Sequence, residues 1–233
     1  MNKYSSRAII IGRYDFKEND SLVLLYSEKF GKLKLIAKGA KKFNSKLAAH
    51  IEPITLSKIL VVHSRSNFDY LASSSSIYLF KNLKEDWEKL KLLGEIMQIF
   101  NKSVKYGEAD YKMFDWLLLW LKNLIKVSSD ESEKMKAIFM IRFFKIIGYD
   151  LSLENCSSCF KKNHKNKYYF DFKQANLICS ECLKGSNDYY ELSDNCLKLF
   201  NFIQNNEKTV IAKKSMIKEL NHFLFKFWQF QDL

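Results

Sequence analysis

Two pairs of closely spaced cysteines constrain the fold of this chain more than any other feature. Cys156 and Cys159 form one C-x2-C unit, Cys179 and Cys182 form a second, and 19 residues lie between the two units. A C-x2-C turn holds two thiolates close enough to bind one ion, and a tetrahedral Zn²⁺ takes its other two ligands from a second such turn. The spacing therefore predicts a zinc ribbon or knuckle with four cysteine ligands, in which a hairpin over residues 168–178 brings the pairs together.

Two disulfides, or unrelated thiols in a core, are the alternatives to a metal site. A cytoplasmic chain disfavours disulfides, and paired C-x2-C units rarely arise among scattered core thiols. Four thiolates leave no open coordination position, so the predicted ion is structural and not catalytic. His164 is a spare ligand in a lysine-rich segment, whereas Cys196 has the spacing of a core residue on a later helix.

Length and composition are those of a globular chain with a sizeable core. It has 233 residues, of which 47% are hydrophobic and 27% are charged. Its longest apolar run covers residues 116–121, far short of the roughly 20 residues that cross a bilayer. The N-terminal apolar segment is too short for a secretory signal, and no small-residue cleavage site follows it. We therefore expect a cytoplasmic protein without a membrane partner.

A local excess of lysine is the second notable feature. The window from Lys29 to Lys46 holds seven lysines and no Asp or Glu. At the average composition of the chain, such a window would hold about 2–3 lysines and about 2 acids. The net charge of +12 is weaker evidence, because only four of the 38 basic residues are Arg and an AT-rich genome gives such a composition without functional pressure.

This lysine-rich window has two interpretations. It is either a solvated surface loop, as most charge runs are, or the edge of a groove that follows a nucleic-acid backbone. Lysines are point charges that suit phosphate contact without base specificity. Tyr14, Phe16 and Phe43 could supply the stacking faces that binders of single strands need.

The first 80 residues read as β structure and the remainder mostly as helices. Five strand candidates without a long helix pattern suit a small barrel of the OB-fold type. These candidates cover residues 7–13, 21–27, 32–37, 52–63 and 68–80. Apolar residues at helical spacing, such as the series Trp87, Leu90, Leu93 and Met97, indicate amphipathic helices from residue 83 onward. The helix candidates cover residues 83–104, 111–125, 133–147, 194–205 and 213–229.

The predicted fold class is α+β and multidomain, with an N-terminal OB-fold β-barrel followed by an α-helical bundle with an inserted zinc ribbon or knuckle of four cysteines. The expected domains are the barrel over residues 1–80, the bundle over 81–150, the zinc-binding segment over 151–192 and C-terminal helices over 193–233 that pack on the bundle.

No residue pattern in the sequence predicts catalysis. His50, His63 and His222 belong to no HExxH motif and to no Ser/His/Asp constellation that a sequence alone could show. A P-loop and a GxGxxG motif after a strand are both missing from the sequence, and the carboxylates show no grouping typical of a metal-dependent nuclease. We therefore expect a binding protein and not an enzyme.

Two stretches carry a resemblance to a known family. They are AKGAKKFNSKLAAHIEP at residues 37–53 and RFFKIIGYDLSLENCSSC at residues 142–159. The first matches a KGA-basic-basic loop that leads into a strand, and the second matches a helix end that runs directly into the first cysteine pair. With the order of barrel, helices and cysteines, the whole chain resembles the bacterial RecO recombination mediators.

The resemblance implies a function, partners and site residues. RecO proteins bind single- and double-stranded DNA, anneal complementary strands, act with RecR, engage the C-terminal tail of the single-stranded DNA-binding protein SSB and help RecA to load onto SSB-coated DNA. They act in the cytoplasm, at the nucleoid during repair. The implied zinc ligands are Cys156, Cys159, Cys179 and Cys182. The implied DNA contacts are Lys38, Lys41, Lys42 and Lys46, to which Lys32 and Lys34 are added by their strand face, together with Arg13.

One further site follows from the second stretch. A guanidinium suits a carboxylate, so Arg142 is a candidate contact for the acidic SSB tail, beside an apolar pocket lined by Phe139 and Phe143. The alternative is a surface arginine that supports its own helix.

A different function class is also open to such a chain. An RNA-binding or transcription-associated protein with an OB-fold and a zinc ribbon would rest on the same physical features. Competition between DNA and RNA of one sequence separates the two, because only RNA offers a 2′-hydroxyl.

Overall fold

The computed structural model describes residues 3–64, 68–161, 167–183, 189–205 and 212–231. It divides into two compact units, Met1–Ser129 and Asp130–Leu233, and each is described by itself. Within the described ranges, no helix is long and apolar enough to cross a membrane.

Five strands close into a barrel in the first unit. They are β1 (Lys3–Phe16), β2 (Asp20–Ser27), β3 (Gly31–Ala37), β4 (Thr55–Val62) and β5 (Tyr70–Tyr78). The order around the barrel is β1-β2-β3-β5-β4, and only the pairing of β3 with β5 is parallel. This arrangement confirms the OB-fold barrel predicted from the sequence.

The long first strand closes the barrel because it pairs on both sides. Its residues 3–10 pair with β4, whereas its residues 8–16 pair with β2, and the register shifts between Ile10 and Gly12. Alternate side chains then point into one apolar core. The buried residues of that core are Ala8, Ile10, Val23, Leu25, Leu35, Ala37, Ala40, Ile51, Ile59, Val61 and Leu71.

A tight turn joins β2 to β3 and faces the helices of the same unit. Gly31 follows a three-residue loop and has a φ of 65°, in the left-handed region that glycine adopts without a steric cost. A Cβ at this position would lie 2.0 Å from the carbonyl oxygen of Glu108. Only glycine therefore lets the chain between the second and third helices approach this strand so closely.

Three helices complete the first unit. They are α1 (Lys81–Lys84), α2 (Trp87–Ser103) and α3 (Tyr111–Lys126). The carboxylate of Asp86 caps α2 by accepting a hydrogen bond from the backbone N–H of Lys89, and the carboxylate of Asp110 caps α3 in the same way.

The buried face of α2 differs from the predicted one. Leu93 and Met97 are buried as expected, but Trp87 is 73% exposed and Leu90 is 38% exposed. The helix begins one residue after its Asp86 cap, so Trp87 lies in the first turn, and the packed stripe consists of the later residues Leu92, Leu93, Ile96, Met97, Ile99 and Phe100.

The helices pack directly on the barrel within this unit. The buried ring of Tyr26 on β2 meets Phe100 edge-on, with 5.1 Å between ring centroids, and stacks on Phe114 at 6.5 Å. The backbone N–H of Gly107 donates to the carbonyl of Lys32 over 3.0 Å. Barrel and helices therefore share one packed interior.

The second unit combines helices with a small sheet. Its elements are α4 (Ser132–Ile146), β6 (Tyr168–Asp171), β7 (Asn176–Cys179), β8 (Tyr189–Leu192), α5 (Asp194–Asn205) and α6 (Lys214–Phe230). The three helices pack on one another, and the antiparallel sheet has the order β7-β6-β8. Phe170 of β6 contacts Phe223 and Phe227 of α6, at ring-centroid distances of 5.0 and 6.0 Å. The sequence did not predict β8, which pairs with β6 along its whole length.

Candidate nucleic-acid interface and metal centre

The four paired cysteines meet in the second unit. Cys156 and Cys159 lie in a turn region after α4, Cys179 ends β7, and Cys182 ends the short 3-10 turn Ser180–Cys182. The β6–β7 hairpin forms because the carboxylate of Asp171 accepts hydrogen bonds from two backbone N–H groups of its turn, and it returns the second pair to the first. All four Sγ atoms lie within 4.8 Å of one another, and none is in a disulfide.

This geometry fits a tetrahedral metal ion. A zinc–sulfur bond of about 2.3 Å implies sulfur–sulfur separations of about 3.8 Å in a tetrahedron, and the Sγ atoms of Cys159 and Cys179 lie 3.9 Å apart. The backbone N–H of Cys179 donates to the Sγ of Cys156 over 3.4 Å, as expected for a metal-bound thiolate. Four soft thiolates are a donor set that suits zinc. His164, the spare ligand, lies outside the described residues.

The thiols of this cluster do not ionise equally. Burial opposes ionisation of Cys156, but hydrogen bonds from the backbone N–H groups of residues 159, 179 and 158 outweigh it and lower its pKa to about 6. Burial raises the pKa of Cys179. A hydrogen bond to Cys179, followed by burial, raises the pKa of Cys182 to about 12. Without a cation the neighbouring sulfurs share protons, and a divalent ion would replace those protons.

The basic loop, which we define as residues 38–50, is anchored at both ends to the barrel. Gly39 has a φ of 64°, and its N–H donates to the carboxylate of Asp20 over 2.8 Å. Ala40 is buried in the barrel core, and Leu47 packs against that core. Between these anchors the side chains point to solvent, including those of Lys41, Lys42, Phe43 and Lys46. The loop therefore presents lysines from a fixed backbone.

Arg13 holds this loop in place instead of projecting from it. Its guanidinium donates to Ser21 Oγ over 3.1 Å and to the carbonyl of Ala40 over 3.2 Å, and it forms a salt bridge to Glu52 of 2.9 Å. The carbonyl of Ala48 lies 3.5 Å from the same group. Most of its donors are thus committed within the barrel, which argues against the predicted DNA contact.

Lys32 is also an internal residue. It is 4% exposed, its Nζ donates to the carbonyl of Asn101 over 2.6 Å, and the same atom lies 4.2 Å from the ring centroid of Tyr106. Burial lowers the pKa of its ammonium. The expectation of one exposed face for the lysines of β3 is therefore wrong at Lys32, because the chain after α2 covers this end of the strand. Lys34 and Lys38 are exposed as predicted.

Three aromatic rings accompany the exposed lysines. Lys38 Nζ lies 4.1 Å from the ring centroid of Tyr70, and Lys34 Nζ lies 5.5 Å from that of Phe68. Contacts of this kind at exposed sites stabilise by about 0.5–1 kcal/mol. The sequence prediction included neither ring, although two aromatic residues at the start of a strand are a visible signal.

Phe16 extends this arrangement. Lys17 Nζ lies 5.7 Å from its ring centroid, and its ring meets that of Phe68 edge-on, with 6.5 Å between centroids. We call the six residues the aromatic–lysine strip. They are Phe16, Lys17, Lys34, Lys38, Phe68 and Tyr70. Tyr14 and Phe43, the other predicted stacking residues, are exposed but contribute no contact to this strip that the structure describes.

The remaining predicted lysines differ in their surroundings. Lys41 pairs with Asp15 over 3.3 Å, but Asp15 is 89% exposed, and such surface pairs contribute little. Within the described part of the chain, the ammonium groups of Lys42 and Lys46 have no acidic partner. Both are therefore available to an external anion.

The structure separates the three residues proposed for the SSB tail. Phe139 and Phe143 are completely buried and stack on each other at 5.4 Å, so they form core and do not line an open pocket. Their helix has apolar residues on most faces. The spacing of the sequence alone therefore could not show whether these two rings lie in the core or line a pocket. Arg142 is half-buried, and its Nη2 donates to the carbonyl of Ile203 over 3.5 Å.

Comparison with known proteins covers nearly the whole chain. The family model "Recombination protein O N terminal" matches residues 1–80, and "Recombination protein O C terminal" matches residues 84–231. The chain belongs to the RecO family. The boundary between the two matches falls just after β5, the last strand of the barrel.

Several curated RecO proteins are similar to this chain. The DNA repair protein RecO of Clostridium acetobutylicum is 28% identical over 188 residues, which cover 79% of this chain and 73% of that protein. The DNA repair protein RecO of Clostridium perfringens is 26% identical over 226 residues, or 97% of this chain and 89% of that protein. Membership in the RecO family supports a role in DNA repair and recombination, and the cysteine cluster of this RecO chain fits zinc binding.

Proposed function

We propose that this chain is a non-enzymatic recombination mediator. It binds single- and double-stranded DNA without sequence specificity, anneals complementary strands and, with RecR, helps RecA to load onto SSB-coated DNA. The observation that supports this proposal best is the basic loop, which holds Lys38, Lys41, Lys42 and Lys46 in exposed positions on an OB-fold barrel of a RecO-family chain.

The chemistry of the loop explains the expected lack of sequence specificity. The commonest base contact is a planar, bidentate arginine that matches a base edge, and Arg13, which lies beside this loop, is committed within the barrel. Lysine ammonium groups make flexible contacts with phosphate, which is the same on every nucleotide. The affinity should therefore depend steeply on salt and weakly on sequence.

Neutralising the loop tests the DNA-binding surface. We expect Lys38→Gln, Lys42→Gln and Lys46→Gln together to reduce the slope of log affinity against log salt by about 2–3 units, and the affinity at low salt by roughly 10²-fold or more. Fluorescence anisotropy with labelled oligonucleotides over a salt series measures both quantities.

A matched control removes the same charge elsewhere. Lys91→Gln, Lys112→Gln and Lys122→Gln change exposed lysines on α2 and α3, and we expect them to preserve most of the affinity. Equal losses in both triple variants would show that net charge, and not the basic loop, carries DNA binding.

Strand annealing tests the mediator function as a whole. We propose that the protein accelerates annealing of complementary oligonucleotides coated with SSB, and that the lysine variant does so more slowly. Turnover of single-stranded DNA by the metal-loaded protein would contradict a non-enzymatic role. Preference for RNA over DNA of the same sequence would favour the RNA-binding alternative.

The contact between Arg142 and the SSB tail stays a prediction. Its half-buried guanidinium donates one N–H to the carbonyl of Ile203, and a tail carboxylate would compete with the contacts that Arg142 makes within the chain. We expect Arg142→Ala to weaken binding of an SSB tail peptide at least several-fold, measured by titration calorimetry, whereas Lys145→Ala on the same helix should not. An unchanged affinity would remove Arg142 from the binding site.

A further inference from the structure

The aromatic–lysine strip brings three aromatic rings together with lysines on the barrel. Phe16, Phe68 and Tyr70 are half-buried, and none of them belongs to the barrel core that the described residues form. They come from different parts of the sequence: Phe16 ends β1, Phe68 lies just before β5, and Tyr70 begins β5. A surface that gathers half-buried aromatic rings beside lysines suits a planar, anionic ligand.

The position of these rings on the barrel suggests which ligand that is. Phe16 ends β1, directly before the connection to β2, and Phe68 lies within the connection from β4 to β5. In OB-folds, these two connections flank the surface that binds oligonucleotides. Lys34 of β3 and Lys38 of the basic loop lie beside the rings, so that a nucleotide would find a face for its base and a cation for its phosphate at one place.

The lysines near the two phenylalanine rings do not block them. Each ammonium lies 5.5–5.7 Å from a ring centroid, which is close to the 6 Å limit of such contacts. Stacking of a base on an aromatic ring is a stronger interaction than an exposed contact of this kind. An entering base would displace the ammonium, and the freed lysine would then contact the adjacent phosphate.

We propose that Phe16 and Phe68 form a base-stacking subsite that gives the barrel a preference for single-stranded over duplex DNA. This inference rests on the proposed DNA-binding function. It assigns phosphate contacts to the loop lysines and base contacts to the two rings. The loop lysines contact phosphates, which both forms of DNA present. The rings contact base faces, which a duplex hides within its own stack and exposes only when a base is flipped out.

The test compares single-stranded with duplex affinity in the full-length protein. We expect Phe16→Leu with Phe68→Leu to weaken binding of oligo-dT roughly 10- to 100-fold, since each stacked base contributes substantially, and to change the affinity for a blunt duplex less than about 3-fold. The salt dependence should stay that of the unmodified protein, because no phosphate contact is lost. Quenching of 2-aminopurine in a single strand should decrease in parallel.

Controls keep this outcome interpretable. Trp87→Leu with Tyr111→Leu removes two exposed aromatic rings from α2 and α3, and both affinities should stay unchanged. If the Phe16/Phe68 double variant melts early, the single variants carry the same comparison. Equal losses for both forms of DNA, or no loss for either, would overturn the inference, and the lysine variant would still decide DNA binding separately.

Discussion

Removal of the Zn²⁺ that we expect at the four-cysteine cluster should unfold the cysteine segment of the second unit. Apparent binding energies of structural zinc sites are about 10–16 kcal/mol, which is as large as the whole stability of an ordinary domain. Phe170 on β6 packs against Phe223 and Phe227 of α6. Unfolding of the cysteine segment would therefore also destabilise α6. We expect a strong chelator to release one Zn²⁺ per chain and to abolish the cooperative melting of this unit, as measured by metal analysis and circular dichroism.

Substitution of cysteines separates metal binding from general packing. Cys156→Ser with Cys159→Ser should release the ion and reproduce the effect of the chelator. Cys196 is also completely buried, and burial raises its pKa to about 12, but it lies on α5 outside the cluster. Cys196→Ala should therefore retain the ion and cost only about 1 kcal/mol. Melting that is the same with and without chelator would contradict a structural metal.

Gly31→Ala should destabilise the first unit by about 2–4 kcal/mol. A left-handed φ of 65° strains any residue with a Cβ, at a cost of about 1 kcal/mol. The new methyl carbon would lie 2.0 Å from the carbonyl oxygen of Glu108, and the backbone shift that relieves this overlap costs a further 1–3 kcal/mol or so. Urea denaturation followed by tryptophan fluorescence measures the loss, because Trp87, Trp116 and Trp120 all lie in this unit.

Gly94 offers the matched control for this substitution. It is exposed within α2, and a Cβ there would meet no atom within 4 Å. Gly94→Ala should stabilise the same unit by about 0.5–1 kcal/mol, since alanine is the better helix former. If both substitutions had the same small effect, the close approach of residue 108 to β3 would not exist in solution.

Local patterns predicted the elements whose formation depends on near neighbours. Alternation of apolar residues predicted β2 and β3 to within one residue of their observed ends. The cysteine spacing predicted the cluster because a short hairpin suffices to bring the pairs together. The helix predicted over residues 133–147 is followed directly by Gly148, which has a φ of 100° and donates its N–H to the carbonyl of Lys145.

Tertiary neighbours account for what the sequence could not predict. The alternation of side chains along β3 placed Lys32 and Lys34 on one face of the strand. It could not show that the chain after α2 covers Lys32 but not Lys34. The spacing of Arg13 in β1 likewise does not reveal that the basic loop folds back over it. Phe68, just before β5, lies beside Lys34 because closure of the barrel pairs the start of β5 with β3.

The contacts of Tyr26 and Lys32 have a consequence for work with fragments. A chain cut after residue 80 would expose the ring of Tyr26 and leave the ammonium of Lys32 without the carbonyl of Asn101. The apolar side of the barrel that the helices normally cover would then be exposed to solvent, and an exposed apolar surface promotes aggregation. Ser129 is the natural place to end a fragment that contains the barrel, because the helices that shield this flank end before it.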